Sequence, residues 1–95
     1  MSWQSYVKEY QNYLRLERGL SENTITNYSF DMEKLITFLE SKAIVETPLN
    51  ITEETIQQFI YTIATNVNAR SQARVISGLK SFFSFLVFED YRKDT

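Results

Sequence analysis

Apolar side chains recur every three or four residues through most of this 95-residue chain, and this spacing strongly constrains its fold. In the first segment, from Trp3 to about Arg18, the recurring apolar positions are Trp3, Tyr6, Val7, Tyr10, Tyr13 and Leu14. Such spacing places these side chains along one side of an α-helix. Only two glycines and one proline are present, which disfavours a β fold with many turns. The pattern therefore predicts an all-α protein.

Three further helices are predicted from the same spacing and from the polar residues that precede them. Gly19 stands where a left-handed cap would end the first helix. The predicted bounds are Ser21 to residues 41–43 for the second helix, Thr52 to residues 66–68 for the third, and Asn68 or Ala69 to Phe88 for the fourth. Four amphipathic helices with short connections indicate a compact four-helix bundle in a single domain. The charged tail from Asp90 to Thr95 has no apolar partner in the pattern and is expected to fray or to begin a linker.

Aromatic residues make up 15% of the chain, and most of them fall on the predicted apolar faces. Among those that lie off these faces are Phe30, Phe38, Phe85 and Phe88. These four rings are expected either to contact a partner or to form a second packing face.

The composition excludes several classes of site. There is no cysteine and no histidine, so a disulfide scaffold, a thiolate metal site and the commonest general base are all absent. Glu53 and Glu54 are neighbours at a helix start, where the helix dipole explains them without a catalytic role. No apolar run spans a bilayer and the N-terminus has no secretory pattern. These features predict a cytoplasmic binding module with no cofactor, no metal and no membrane partner.

The fourth predicted helix carries positive charge on an acidic chain. The net charge is −2, yet Arg70, Arg74 and Lys80 lie in a stretch without acids between Glu54 and Glu89. On a helical wheel the three cations share an arc of about 120° with Ser77, Ser81 and Ser84. Short serines would let this face approach a phosphate backbone, although an ordinary solvated helix face has the same pattern.

Two segments resemble a known family. The run Leu16–Tyr28 (LERGLSENTITNY) and the run Arg70–Leu86 (RSQARVISGLKSFFSFL) resemble the N-terminal, SAM-like core-binding domain of tyrosine recombinases of the XerC/XerD type. The two segments occur in the family's order and the resemblance covers nearly the whole chain. One departure is that Ser29 and Phe30 stand where many relatives carry arginines.

The resemblance implies that the second and fourth helices lie against the major groove of double-stranded DNA. The residues that it assigns to DNA are Ser21, Asn23, Thr24, Asn27, Arg70, Ser71, Arg74, Ser77 and Lys80. Among them Arg74 and Lys80 are the expected base-edge or close phosphate contacts, because long cationic side chains reach the groove floor from a helix.

The resemblance also implies that the chemistry lies elsewhere. In the family a separate catalytic domain supplies the tyrosine nucleophile, so this chain is expected to be a non-catalytic fragment. Residues 1–90 would be the core-binding domain and residues 91–95 the start of the linker. Expected partners are other recombinase protomers in a tetrameric synapse, with the isolated chain monomeric without DNA. Chromosome dimer resolution and mobile-element integration both remain open, as does a helical protein–protein module that docks an acidic partner.

Overall fold

The structure is a computed structural model that describes residues 2–93. It contains four helices: α1 (Trp3–Leu16), α2 (Glu22–Ser41), α3 (Glu53–Ala64) and α4 (Ala69–Phe88). No β-strand occurs in this range. The prediction of an all-α, four-helix protein is confirmed, and the helix starts fall within one residue of the predicted positions.

Local capping explains where the helices begin. The side chains of Ser21, Thr52 and Asn68 each accept a hydrogen bond from the backbone N–H three residues later. This bond satisfies an amide that otherwise has no partner in the first helical turn. At the end of α1, Gly19 adopts a φ of +62°, in the left-handed region that glycine reaches at little cost. The helix itself stops at Leu16, two residues before the predicted end, because the chain already turns toward Gly19.

The hydrophobic core forms around α4, which packs against each of the other three helices. The core side chains with no exposed surface include Tyr10, Leu14, Met32, Leu35, Val75, Phe82 and Leu86. Of the four rings Phe30, Phe38, Phe85 and Phe88, two are buried and form the expected second packing face. The ring of Phe38 packs on Phe59 at 5.4 Å and that of Phe85 packs on Tyr13 at 5.3 Å. Phe88 also packs on Tyr13, at 5.1 Å, but it remains more than half exposed, as does Phe30.

The tail after α4 departs from its prediction. Tyr91 packs edge-on against Tyr6 with ring centroids 5.1 Å apart, and its hydroxyl donates to the Glu9 carboxylate at 2.7 Å. Arg92 donates to the backbone carbonyls of Pro48 and Ile51. The expectation that this tail lacks an apolar partner is therefore wrong for Tyr91. The remaining tail residues Asp94 and Thr95 lie outside the described range.

The single tryptophan connects three parts of the chain. The Trp3 indole N–H donates to the carbonyl of Glu46 at 3.0 Å, and the ring stacks on Phe82 with centroids 6.2 Å apart. These contacts hold together the start of α1, the α2–α3 connection and α4. Within residues 2–93, none of the helices combines the length and the apolar character that crossing a membrane would require.

Candidate nucleic-acid interface

The first turn of α2 is exposed and largely polar. The Ser21 hydroxyl caps the helix and also donates to Oγ1 of Thr24 at 3.0 Å, so these two side chains are engaged with each other. Asn23 and Asn27 are exposed, and neither side chain makes a hydrogen bond within the described part of the chain. Glu22 lies in the same turn, where two hydrogen bonds from Arg15 lower the pKa of its carboxyl.

The exposed face of α4 carries Arg70, Ser77 and Lys80, while Ser71 is half-buried near the helix start. On the wheel Arg74 and Lys80 lie about 60° to either side of Ser77. The two cations therefore point to different neighbours of α4. Arg74 is directed toward α2, and Lys80 lies beside a groove that Ile56 and Ile60 of α3 line.

The carboxylate of Asp31, on α2, lies beneath this face of α4 and contacts Arg74. Asp31 has no exposed surface, and its Oδ1 accepts a hydrogen bond from Nη2 of Arg74 at 3.3 Å. The other oxygen, Oδ2, is buried and has no hydrogen-bond partner among residues 2–93. Desolvation raises the pKa of Asp31 above its usual value, although the positive charges of Arg74 and Lys34 oppose that shift. The stretch around Arg74 lacks acids in sequence, but Asp31 supplies a counter-charge in space.

The outer edge of α2 continues this surface. Asn27 and Lys34 lie about 40° and about 60° from Asp31, on the same side of the helix. Lys34 and Arg74 line one groove, together with the exposed ring of Phe30. We call this surface the α2–α4 polar face, and its members are Asn27, Asp31, Lys34, Arg70, Arg74 and Ser77. It combines three long cations with short polar side chains around one buried acid.

The described residues contain no group of three or more acidic side chains that could hold a metal ion. The α2–α4 polar face itself offers hydrogen-bond donors and positive charge. Guanidinium, ammonium, amide and hydroxyl groups of this kind bind phosphate oxygens and the edges of bases.

Comparison with known proteins gives the family. Residues 7–90 match the family described as phage integrase, N-terminal SAM-like domain. The chain belongs to this family. The resemblance seen in the two sequence segments is thereby confirmed.

The curated relatives of this SAM-like domain are much longer than the chain itself. It is 40% identical over 86 residues to the tyrosine recombinase XerD of Staphylococcus saprophyticus, covering 90% of the chain and 29% of that protein. It is 36% identical over 89 residues to the tyrosine recombinase XerD of Rickettsia prowazekii, covering 93% of the chain and 28% of that protein. The chain thus spans less than a third of the length of these relatives. No solved structure is a significant match.

The residues assigned to DNA from sequence do not form one patch in this SAM-like domain. Arg70, Arg74 and Ser77 share one face of α4, and Asn27 lies one turn before Asp31 on α2, which contacts Arg74. Ser21, Asn23 and Thr24 lie at the start of α2, Ser71 is partly covered at the start of α4, and Lys80 turns toward α3.

Ser29 and Ser81, which lie near the assigned residues in sequence, hydrogen-bond between helices. The Ser29 hydroxyl accepts from Nε2 of Gln11 and donates to the Ile25 carbonyl, so it joins α1 to α2. Ser81 accepts a hydrogen bond from the buried Tyr10 hydroxyl at 2.9 Å. Both serines therefore serve packing between helices of the SAM-like domain.

Sequence reasoning missed Asp31 and Lys34. A usable signal exists for Lys34, which is three residues from Asp31 and seven from Asn27, and so shares a helix edge with both. The burial of Asp31 has no such signal, because it depends on how closely α4 approaches.

Proposed function

We propose that this chain is the DNA-binding domain of a site-specific tyrosine recombinase, and that its α2–α4 polar face lies against one side of a duplex. One observation carries the proposal. Lys34 of α2 and Arg74 of α4 line the same groove, and Arg70 lies one turn before Arg74 on the same edge of α4, on a domain whose relatives are tyrosine recombinases. Short side chains allow close approach to phosphates, and long cations reach base edges in the major groove.

The binding is expected to be weak and sensitive to salt. The whole chain has a net charge of −2, so attraction comes from the local cations alone. With about 3–5 phosphate contacts, the logarithm of the binding constant should fall with a slope of about −3 to −5 against the logarithm of salt concentration.

The function of the whole protein is a further proposal, which its relatives support. A catalytic domain elsewhere in the parent protein would supply the tyrosine nucleophile and close on the opposite side of the duplex. Residues 1–90 would be the DNA-binding unit, with Tyr91 and Arg92 packed on it, and the path toward that domain would begin after Arg92, in a tetrameric cytoplasmic assembly. We propose chromosome dimer resolution as the process, with mobile-element integration as the alternative.

Duplex titration tests the proposal directly. The chain first selects a preferred sequence from a randomised duplex library of about three helical turns, ~30 base pairs. It is then titrated with the selected duplex and with a scrambled duplex at low and moderate salt. Tighter, salt-dependent binding to the selected duplex is expected. Failure to bind either duplex at low salt would contradict the proposal.

Alanine variants locate the interface. Lys34→Ala is expected to flatten the salt slope by about one unit, because it removes one phosphate-neutralising cation, and Arg74→Ala is expected to weaken binding to the selected duplex. Lys80→Ala tests whether the DNA contact extends around α4. If it does, this variant should also flatten the salt slope by about one unit. The matched control is Lys8→Ala on the exposed side of α1, which should leave the slope unchanged. Unchanged slopes in all the α2 and α4 variants would remove these residues from the interface.

A protein-docking role is the second candidate, and the position of Lys80 favours it. Lys80 lies at a groove between α3 and α4 lined by Ile56, Ile60, Ile76 and Phe83. Such a groove suits an acidic, amphipathic helix of another protein. Salt-dependent DNA binding that loses strength in Lys34→Ala and Arg74→Ala, but not in Lys80→Ala, would confine DNA to the α2–α4 polar face and leave this groove for a protein.

A further inference from the structure

We propose that Asp31 is a positioning residue, which fixes the Arg74 guanidinium for a sequence-specific contact with the O6/N7 edge of guanine in the major groove. This inference rests on the proposed function. It adds a division of labour within the α2–α4 polar face, in which the Asp31–Arg74 pair reads sequence and the other cations bind phosphate.

The Asp31–Arg74 pair is buried at its acidic end and exposed at its basic end. Asp31 has no exposed surface, whereas half of the Arg74 side chain is exposed, so one end of the pair is anchored and the other faces outward. A single N–H of Arg74, on Nη2, is occupied by Oδ1 of Asp31. Its other donors make no hydrogen bond within the described residues and remain able to bind a ligand. Recognition of guanine by arginine uses two parallel donors on one side of the guanidinium.

Folding alone gives little reason for an acid at position 31. Oδ2 of Asp31 is buried without a hydrogen-bond partner among residues 2–93. Burial raises the pKa of the carboxyl despite the two nearby cations, which means that desolvation outweighs their attraction. A buried ion pair of this kind is commonly no more stabilising than apolar side chains of the same volume. The position of α4 accommodates the acid, because Gly78 has no Cβ, and a Cβ there would lie 2.9 Å from Oδ2.

The carboxylate of Asp31 favours a contact of Arg74 with a base over a contact with a phosphate. A negative charge beside Arg74 weakens its attraction for a phosphate, so Asp31 would be a disadvantage if Arg74 acted as a point charge. Orientation is what a carboxylate adds. An arginine held at one donor loses less side-chain freedom when it binds, and a base edge, unlike a phosphate, requires one orientation of the guanidinium plane.

The test compares the selectivity of variants rather than their affinity alone. The probes are the duplex selected by the wild-type chain from the ~30-base-pair library and its scrambled counterpart. The measured quantity is selectivity, given as the Kd for the scrambled duplex divided by the Kd for the selected duplex. Asp31→Asn is expected to lower this ratio about tenfold, within the range for one bidentate base contact, while binding the scrambled duplex at least as tightly as wild type. Glu40→Gln is the matched control, since it makes the same charge change at an exposed position about 180° around α2, and its ratio should stay at the wild-type value.

Arg74→Lys provides the second arm. Lysine keeps the charge but lacks the planar fork, so this variant should lose as much selectivity as Asp31→Asn. The double variant Asp31→Asn/Arg74→Lys should lose no more than either single variant, because both changes remove the same contact. Partial unfolding cannot imitate this result, since it weakens apparent binding to both duplexes by the same factor and leaves the ratio unchanged.

Three outcomes would overturn the inference. One is a wild-type ratio in Asp31→Asn; if the affinity for both duplexes falls equally in that case, the role of Asp31 is purely structural. Salt-dependent binding by wild type without any sequence preference would also overturn it while leaving the proposed DNA-binding function intact. Absence of binding to every duplex would instead overturn the proposed function, and this inference with it.

Discussion

Gly78 lies where α2 and α4 approach most closely around Asp31. A Cβ at this position would lie 2.9 Å from Oδ2 and 3.2 Å from Cβ of Asp31. Asp31 has no exposed surface, so its carboxylate cannot swing into solvent to relieve the overlap. Gly78→Ala is therefore expected to lower the free energy of unfolding by about 1 kcal/mol, because an overpacking cost of about 1–3 kcal/mol exceeds the helix-propensity gain of about 1 kcal/mol.

Urea unfolding followed by circular dichroism measures this change. The exposed neighbour Ser77→Ala is the control, and its free energy of unfolding should change by no more than about 0.5 kcal/mol. A Gly78→Ala variant more stable than wild type would contradict the close approach of the two helices.

The raised pKa of Asp31 predicts a specific pH dependence. Burial makes the native state bind this proton more tightly than the unfolded state does. The contribution of Asp31 to stability is therefore fully present below the ordinary Asp pKa of about 3.9 and is lost as pH rises through the raised pKa. Relative to Asp31→Asn, the wild-type chain should gain stability as pH falls from about 7 to about 4. Unfolding of both proteins across this range is the measurement.

Glu22 gives a control of opposite sign. Hydrogen bonds from Arg15 lower its pKa, so its contribution is present above the ordinary Glu pKa and is lost as pH falls through the lowered value. Relative to Glu22→Gln, the wild-type chain should therefore lose stability in acid. A difference between wild type and Asp31→Asn that is independent of pH would contradict the burial of the Asp31 charge.

At the scale of the element, the helix starts are local features and the sequence predicts them well. Ser21, Thr52 and Asn68 were each expected near a helix start, and each caps one. A cap depends only on one side chain and a backbone amide three residues away. The extent of the buried faces is not local. Phe38 and Phe85 fall outside the main apolar arcs, yet they are buried because α2 and α4 pack against more than one neighbour.

The cap of α3 provides a prediction at this scale. Thr52→Ala should lower the free energy of unfolding by about 1 kcal/mol, since the amide of Thr55 loses its acceptor. Thr52→Ser keeps the hydroxyl and should restore most of that loss. Thermal unfolding of the two variants beside wild type measures the difference. Equal stability of Thr52→Ala and wild type would show that water replaces the cap without cost.

At the scale of the whole molecule, the sequence predicts the fold class and the family but not how the chain end is held. Tyr91 contacts Tyr6 and Glu9 at the other end of the chain, and Arg92 contacts the carbonyls of Pro48 and Ile51. Contacts between residues so far apart in sequence leave no trace in a local apolar pattern. The Asp31–Arg74 pair could not be predicted for the same reason. The sequence assigned Arg74 to DNA on its own and gave no role to Asp31.

The Tyr91 hydroxyl allows the contact between the end of the chain and α1 to be tested. Tyr91→Phe should lower the free energy of unfolding by about 1 kcal/mol, because the Glu9 carboxylate loses its hydrogen bond while the ring keeps its packing. The same hydrogen bond raises the pKa of Tyr91 to about 12, so this contribution should be present at neutral pH and lost as pH rises through that value. Tyr61→Phe is the control, since the Tyr61 side chain is exposed on α3. Identical losses in the two variants would contradict the contact.

The contacts of Trp3 have a practical consequence. It is the only tryptophan in the sequence, and it joins α1, the α2–α3 connection and α4 through Glu46 and Phe82. Its fluorescence emission should shift when these parts separate, since the indole then enters water. Within residues 2–93, no hydrogen bond or ring contact joins this indole to a member of the α2–α4 polar face, so a ligand on that face should leave the emission wavelength unchanged. The domain thus carries a built-in optical reporter of its folded state that is independent of ligand occupancy.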